Sequence, residues 1–314
     1  MSDPPLIFVV GPTASGKSGL ALELARCFPV ELISMDSAQI YRGMDIGTAK
    51  PSRAVRSQVP HHLIDILDPA QRYSAAAFAT DARLCIADIR QRGRIPLLVG
   101  GTFLYMRALL RGLHALPAAD AALRQALQQE AQRDGWPALH QRLATRDPQA
   151  AARIHPHDAQ RIGRALEIIE QTRCAPSELT AAPPPAPWRG PVLRLALVPN
   201  DRAALRRRIA TRFHGMLEEG LLDEIRALFA RPDLNPELPS MRSVGYRQLW
   251  SHLAGEIGQE EAVQRAIIAT GQYAKRQLTW LRSEAGLQAL PQAPAEAVIA
   301  AQDTVHSFLV AHGA

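Results

Sequence analysis

Cysteine is scarce in this 314-residue chain, and the three present, Cys27, Cys85 and Cys174, lie far apart. None has metal-ligand spacing to another, which argues against both a disulfide framework and a zinc site. Long apolar runs are missing too: 47% of the residues are hydrophobic, yet no run approaches the length that crosses a bilayer. The opening Met1-Ser2-Asp3-Pro4-Pro5 lacks the basic flank of a signal peptide. These absences argue against helical membrane and disulfide-rich secreted classes and make the cytoplasm the expected compartment. Lysine is the next shortage. Only Lys17, Lys50 and Lys275 among the 36 cations are lysine, so arginine is the default and those three positions stand out. No internal repeat is found. A net charge of +6 and a pI near 9.6 hint at an acidic partner such as nucleic acid, although an arginine-rich composition accounts for them equally well.

What is present begins at the N-terminus. The apolar run Leu6 to Val10 is followed by Gly11-Pro12-Thr13-Ala14-Ser15-Gly16-Lys17-Ser18 and then by apolar residues at helical spacing, Leu20, Ala21, Leu24 and Ala25. Strand, glycine loop and helix in that order fit the phosphate-binding G-x-x-x-x-G-K-[ST] motif. Glycines permit the backbone angles at which successive N–H groups and a helix N-terminus point at one anion. Lys17 adds a full charge, and the Ser18 hydroxyl is placed to ligate Mg²⁺. The motif states that a polyphosphate binds and leaves open which one.

Further strands are expected at Glu31–Met35, Ile95–Val99 and Val192–Val198, and another with its entry loop at Val59–Leu67, with helices over Ser74–Gly93 and Phe103–Arg111 between them. Alternating strands and helices predict an α/β fold, a P-loop NTPase-like parallel sheet with helices on both faces. From Pro117 to Thr180 the pattern is helical only: Ala118–Arg133, Trp136–Thr145 and Asp158–Thr172. Pro183-Pro184-Pro185-Ala186-Pro187 closes that section as a stiff connector. The reading is an all-helical insertion, residues 117–187, inside a core of residues 1–116 and 188–314. Helices at Arg202–Glu219, Leu221–Ala230 and Gln259–Ser283 and an amphipathic tail complete the chain.

Ligands of open parallel sheets bind beyond the carboxyl ends of the strands, here Gly11 onward, Asp36 and Gly100-Gly101-Thr102. Asp36 is therefore a candidate acceptor or general base beside the phosphates, with a turn aspartate as the plain alternative. A hydrolase of this fold usually carries an acid at the end of a second apolar strand; Leu98-Val99-Gly100-Gly101-Thr102 offers none, which favours group transfer. Three basic segments mix cations with aromatic, hydroxyl or amide groups: Gln160–Arg164, Arg242–Arg247 and Lys275–Arg282. Such mixtures suit phosphate contacts and stacking on unpaired bases, or simply a solvated helix face. Arg206-Arg207-Arg208 reads as solvated surface, and His61-His62, without further ligands at metal spacing, as turn or core histidines. A small-molecule kinase and a non-catalytic RNA-binding NTPase switch are the rival readings.

The motifs together carry a resemblance. Gly11–Ser18, Asp36-Ser37-Ala38-Gln39-Ile40-Tyr41, Gly47-Thr48-Ala49-Lys50-Pro51, His61–Asp65, Val99–Tyr105, Gln160-Arg161-Ile162, Val244-Gly245-Tyr246-Arg247 and Tyr273-Ala274-Lys275-Arg276-Gln277 occur in this order. From about Leu6 to Arg282 the chain resembles the bacterial tRNA dimethylallyltransferases, which prenylate N6 of the adenosine 3′ to the anticodon. Gly271 stands where that family commonly has a basic residue and Leu281 where it has an aromatic one. The zinc-finger extension of eukaryotic relatives is absent, in keeping with the cysteine count.

The resemblance implies that Gly11, Pro12, Thr13, Ala14, Ser15, Gly16, Lys17 and Ser18, with Mg²⁺ on Ser18 and Arg124 from the insertion, hold the diphosphate of dimethylallyl diphosphate as a leaving group. It implies that Asp36 orients the adenine amine and takes its proton, and that Thr102 contacts the target base. It further places on the tRNA Asp36, Ser37, Ala38, Gln39, Thr102, Arg124, Gln160, Arg161, Ile162, Gly163, Arg164, Arg242, Ser243, Val244, Gly245, Tyr246, Arg247, Lys275, Arg276, Gln277, Leu278, Thr279, Trp280, Leu281 and Arg282. The helical insertion would clasp the anticodon stem-loop, no membrane is involved, and a monomer is expected.

Overall fold

Strand β1 (Leu6–Val10) sends Leu6, Phe8 and Val10 to one face of a sheet and Ile7 and Val9 to the other, and all five are buried. A strand apolar on both faces belongs inside a parallel sheet with helices on either side. The computed structural model, described for residues 3–114, 116–184 and 186–313, has that arrangement. Met1, Ser2 and the connector residue Pro185 lie outside the described residues.

After β1 come α1 (Lys17–Cys27), β2 (Val30–Met35), α2 (Arg53–Gln58), β3 (His61–His62), α3 (Ala75–Gln91), β4 (Ile95–Gly100) and α4 (Phe103–Arg111). Five helices follow: α5 (Ala121–Asp134), α6 (Trp136–Arg146), α7 (Pro148–Ala151), α8 (Ala159–Thr172) and α9 (Pro176–Leu179). The chain then runs through β5 (Val192–Ala196), α10 (Arg202–Glu218), α11 (Leu221–Phe229), α12 (Tyr246–Leu253), α13 (Gln259–Ser283), β6 (Gln288–Ala289) and α14 (Pro294–Ala311). Two compact units result, residues 111–187 and the remainder.

In the larger unit the strand order is β3-β2-β4-β1-β5-β6 and every neighbouring pair is parallel. On one face Phe78, Ile86, Phe103, Leu109, Ile209 and Leu278 pack over the sheet; on the other, Leu20 and Leu24 of α1 meet Ala301, Val305 and Leu309 of α14. The amphipathic tail is thus a wall of the core. The chain leaves β1 towards β2 and leaves β4 towards β5, although β1 and β4 are adjacent. That reversal is the switch point at which such sheets bind ligands, and the glycine loop and Gly100-Gly101-Thr102 lie at its carboxyl end. A third cluster, Ile40, Tyr41, Met44, Met216, Ile225, Tyr246 and Leu249 among others, joins the segment after β2 to α10–α13.

Local sequence sets the helix starts. Ser74 accepts from Ala77 N–H and Asp201 from Ala203 and Ala204 N–H, each meeting otherwise orphaned donors. In the helical unit Asp120 and Asp158 do the same for α5 and α8, and Leu127, Leu139, Leu143, Ile162, Leu166 and Ile169 form its core.

One expected strand is mostly absent. Of Val59–Leu67 only His61–His62 pairs with β2, and Leu67 meets Tyr41 at a single bridge. Leu63 and Asp65 adopt left-handed backbone angles (φ 59° and 57°), which break the pleat. Asp65 is held there by Lys50 (2.5 Å) and Arg56 (2.6 Å). β6, two residues on the sheet edge, was not expected from the pattern, nor was α12.

Gly100 is required by close approach: a Cβ there would collide with the backbone carbonyl of Met35 on the neighbouring strand. Gly100→Ala should lower stability by about 1–3 kcal/mol through overpacking at a point where only backbone can move. A thermal melt checks this; an unchanged Tm would show that the two strands separate freely.

Candidate active site

A cleft of 860 Å³ opens at the carboxyl ends of the strands. Thr13 to Ser18 of the glycine loop line it together with Asp36, Ser37, Ala38 and Gln39 from the end of β2. Arg242, Ser243, Val244, Tyr246, Arg276 and Gln277 line it from the second half of the chain. The phosphate motif, the strand-end acid and two of the three basic segments therefore meet in one place. Gly11 and Pro12 are buried behind the loop, and Gly11 has room for no side chain because Ser15 Oγ lies 2.6 Å from where its Cβ would be.

The charge balance is one-sided. Among the described residues the cleft is lined by five cations, Lys17, Arg208, Arg212, Arg242 and Arg276, and by a single carboxylate, Asp36. Burial lowers the Lys17 ammonium from its ordinary value to about 8, against the pull of Asp36 and with the help of Arg212. Its Nζ donates to the Pro12 carbonyl at 3.0 Å. Arg212 is likewise held below its usual pKa by burial, offset by Asp36 and Glu219. Clustered cations with too few local anions make a site for an anionic ligand.

Asp36 makes the turn contact and also faces the cleft. Its Oδ1 accepts from Ala38 N–H at 2.9 Å, the turn role, and the side chain still lines the cleft beside Lys17 and Arg212. Thr102 sits behind it: the Thr102 hydroxyl accepts from Ser37 N–H at 3.3 Å and pairs with the phenol of Tyr273. Burial, and next the Asp36 charge, hold that phenol protonated well above its usual range. Gln277, on the buried side of α13, ties the floor together by accepting from Thr13 N–H at 2.8 Å and donating to Gly101 O at 3.0 Å. A Cβ on Gly101 would occupy the position of that amide nitrogen.

The metal expectation is chemically consistent with these donors. Around the loop they are hydroxyl and carboxylate oxygens (Ser18, Ser15, Asp36), the hard set Mg²⁺ prefers beside phosphate, and Ser15 Oγ is buried without a hydrogen-bond partner. Among the described residues no three His, Cys, Asp or Glu side chains form a metal cluster. His62 instead pairs with Glu31 at 2.7 Å and His61 with the Val59 carbonyl at 2.6 Å.

Several expected contacts need correction. Ile162, Leu278 and Leu281 bury their side chains in cores, and the Tyr246 side chain, at the back of the cleft, is buried with its hydroxyl on Glu224, so these side chains pack within the protein. Their neighbours Arg161, Arg247, Lys275, Thr279 and Arg282 are exposed. Trp280 is partly covered by the Arg107 guanidinium, 4.1 Å above its ring. Arg124 and Arg164 lie in the helical unit and both pair with the fully buried Glu167, at 3.0 and 2.8 Å. Arg206, Arg207 and Arg208 are all exposed, as expected, and Arg208 in addition lines the cleft with Arg212, four residues on. Arg212 escaped the sequence reading because it stands in no strand-end motif, and Tyr273 was named only within a motif and given no role; the packing of α10 and α13 sets both beside Asp36.

The profile of the IPP transferase family matches residues 39–284. The chain belongs to the IPP transferase family. It is 58% identical over 287 residues to the tRNA dimethylallyltransferase of Alkalilimnicola ehrlichii, covering 91% of this chain and 90% of that one. It is 57% identical over 284 residues to the enzyme of the same name from Thiobacillus denitrificans, at 90% of each chain. Among solved structures, the tRNA isopentenylpyrophosphate transferase of Bacillus halodurans is similar with a TM-score of 0.72 at 36% identity, covering 99% and 98% of the two chains. A eukaryotic dimethylallyltransferase acting on tRNA is similar with a TM-score of 0.81 at 27% identity, over 99% of this chain and 80% of that one. These relatives make this family member a prenyltransferase and give no support to the kinase reading.

Proposed function

We propose that the protein transfers the dimethylallyl group of dimethylallyl diphosphate to N6 of the adenosine 3′ to the anticodon of tRNA. The observation that carries this reading is that, among the described residues, Asp36 is the single carboxylate beside five cations in the cleft that holds the glycine loop. The allylic C–O bond breaks with its electron pair going to the diphosphate, and the N6 lone pair forms the new C–N bond. The adenine amine is a poor nucleophile because its lone pair is delocalised into the ring, so Asp36 orients it and takes the proton it sheds. Lys17, Arg212 and the loop N–H groups face the charge that grows on the departing diphosphate. Bound through Ser18, Mg²⁺ would supply further positive charge to that leaving group. An unpaired anticodon-loop base costs less to evert than a paired one. The helical unit would clasp the anticodon arm, and the protein would act as a cytoplasmic monomer. Incubation with tRNA, Mg²⁺ and either labelled dimethylallyl diphosphate or labelled ATP tests the proposal: label should reach the RNA only from the prenyl donor.

The basic surface gives a separate test. Arg161→Ala and Arg247→Ala, each removing an exposed cation, should each reduce the slope of log affinity for tRNA against log salt by about one. Arg164 donates to Glu167 at 2.8 Å and to the Pro117 carbonyl at 2.6 Å, so its replacement should lower thermal stability and leave the slope in place. Titrations at several salt concentrations distinguish the two; equal slopes in all variants would remove Arg161 and Arg247 from the RNA surface.

A further inference from the structure

Glu224, on α11, matches no phosphate or base-contact motif and does not line the cleft, yet its carboxylate is fully used. It accepts the N–H groups of Asp45, Ile46 and Gly47 at 2.7, 2.8 and 3.1 Å and the Tyr246 hydroxyl at 2.5 Å. Four donors saturate the acceptor capacity of a carboxylate. Three consecutive backbone N–H groups turned to one anion also fix the path of the chain between them. Gly47 fits because the Tyr246 ring lies 2.6 Å from where its Cβ would stand.

What the loop carries explains the effort. Two residues on, the carbonyls of Thr48 and Ala49 accept both bonds from Gln39 Nε2, at 3.2 and 3.3 Å, while Gln39 Oε1 accepts from Ser34 Oγ at 2.9 Å. Gln39 lines the cleft three residues after Asp36. From the other side, the buried Lys50 ammonium holds the loop to the Tyr41 carbonyl at 2.7 Å and to Asp45 and Asp65.

We infer that Glu224 is a positioning residue: by gathering the three N–H groups of residues 45–47, it sets the loop whose carbonyls orient Gln39, and with it the purine-facing wall beside Asp36. The diphosphate side of the cleft depends on the glycine loop and Gln277, which Glu224 does not touch. Loss of Glu224 therefore acts on the two substrates unequally. This inference rests on the prenyl-transfer reading above.

The test compares Glu224→Ala, Glu224→Asp, Glu224→Gln and Tyr246→Phe with the unaltered full chain, using tRNA and dimethylallyl diphosphate. Glu224→Ala should reduce kcat/KM for tRNA on the order of 10²-fold, the cost of a misplacement near 1 Å, with the KM for dimethylallyl diphosphate and competition by pyrophosphate within about twofold. Glu224→Gln should fare nearly as badly, because its NH₂ turns two donors towards donors. Glu224→Asp should recover part of the rate, and Tyr246→Phe, which removes one donor of four, should lose least. Far-UV circular dichroism and thermal melts verify that each variant is folded at the assay temperature. Equal loss for both substrates, or a fully active Glu224→Gln, overturns the positioning role. Absence of prenyl transfer by the unaltered protein would instead overturn the functional reading itself.

Discussion

Asp36→Ala should bind tRNA normally and transfer the prenyl group at least about a hundredfold more slowly, the usual contribution of a positioned base. Among the described residues Asp36 is the one carboxylate lining the cleft, so none of them offers an acid to take its place. Its removal leaves Lys17 and Arg212 without the counter-charge that now raises the pKa of each. The affinity for pyrophosphate should therefore hold or rise while turnover collapses, a split that loss of folding would not give. Asp36→Asn keeps the turn bond to Ala38 N–H and should be as slow as the alanine variant. Single-turnover prenylation with saturating tRNA measures the chemical step, and near-normal rates in Asp36→Asn would leave the residue only its turn role.

The second large effect belongs to Lys17. Lys17→Ala should raise the KM for dimethylallyl diphosphate by a hundredfold or so, as expected for deleting a charged hydrogen-bond partner of a phosphate at about 1.5–3 kcal/mol, and leave tRNA affinity near its starting value. The pH dependence follows from burial. In the free protein the ammonium is brought down to about 8, so it is charged below that pH and loses its proton as the pH rises through it. A bound diphosphate favours the charged form and raises the pKa. The KM for the prenyl donor should accordingly climb above pH 8, and binding near pH 8.5 should take up a proton. Calorimetry in two buffers of different ionisation heat reads that uptake directly; none would mean that another group titrates.

Much of this was legible in the chain. β1, the glycine loop and α1 announce themselves through an apolar run, two glycines and a 3.6-residue pattern, all local signals. α13 spans Gln259–Ser283 as its periodicity requires. The mainly charged or polar motifs Asp36–Gln39 at a strand end, Arg242–Arg247 at the start of α12 and Lys275–Arg282 within α13 stood out in the sequence because each mixes cations or an acid with hydroxyl, amide or aromatic groups. β3 was overestimated because strand propensity in Val59–Leu67 yields to two left-handed residues, Leu63 and Asp65, the second pinned by Lys50 and Arg56. Arg212 and Glu224 were silent, and Arg208 read as surface, since each lies in a helix pattern that is equally good for surface or site.

By itself the sequence determined the layered parallel sheet, the phosphate cradle beyond the carboxyl end of its first strand and the family, because these depend on short-range spacing and on which faces must be apolar. Only the tertiary structure decided which charges converge. Lys17, Asp36, Arg212 and Arg276 are separated by up to hundreds of residues, and their electrostatic coupling depends on distances of a few ångströms in a shielded cleft, a quantity that chain order does not encode.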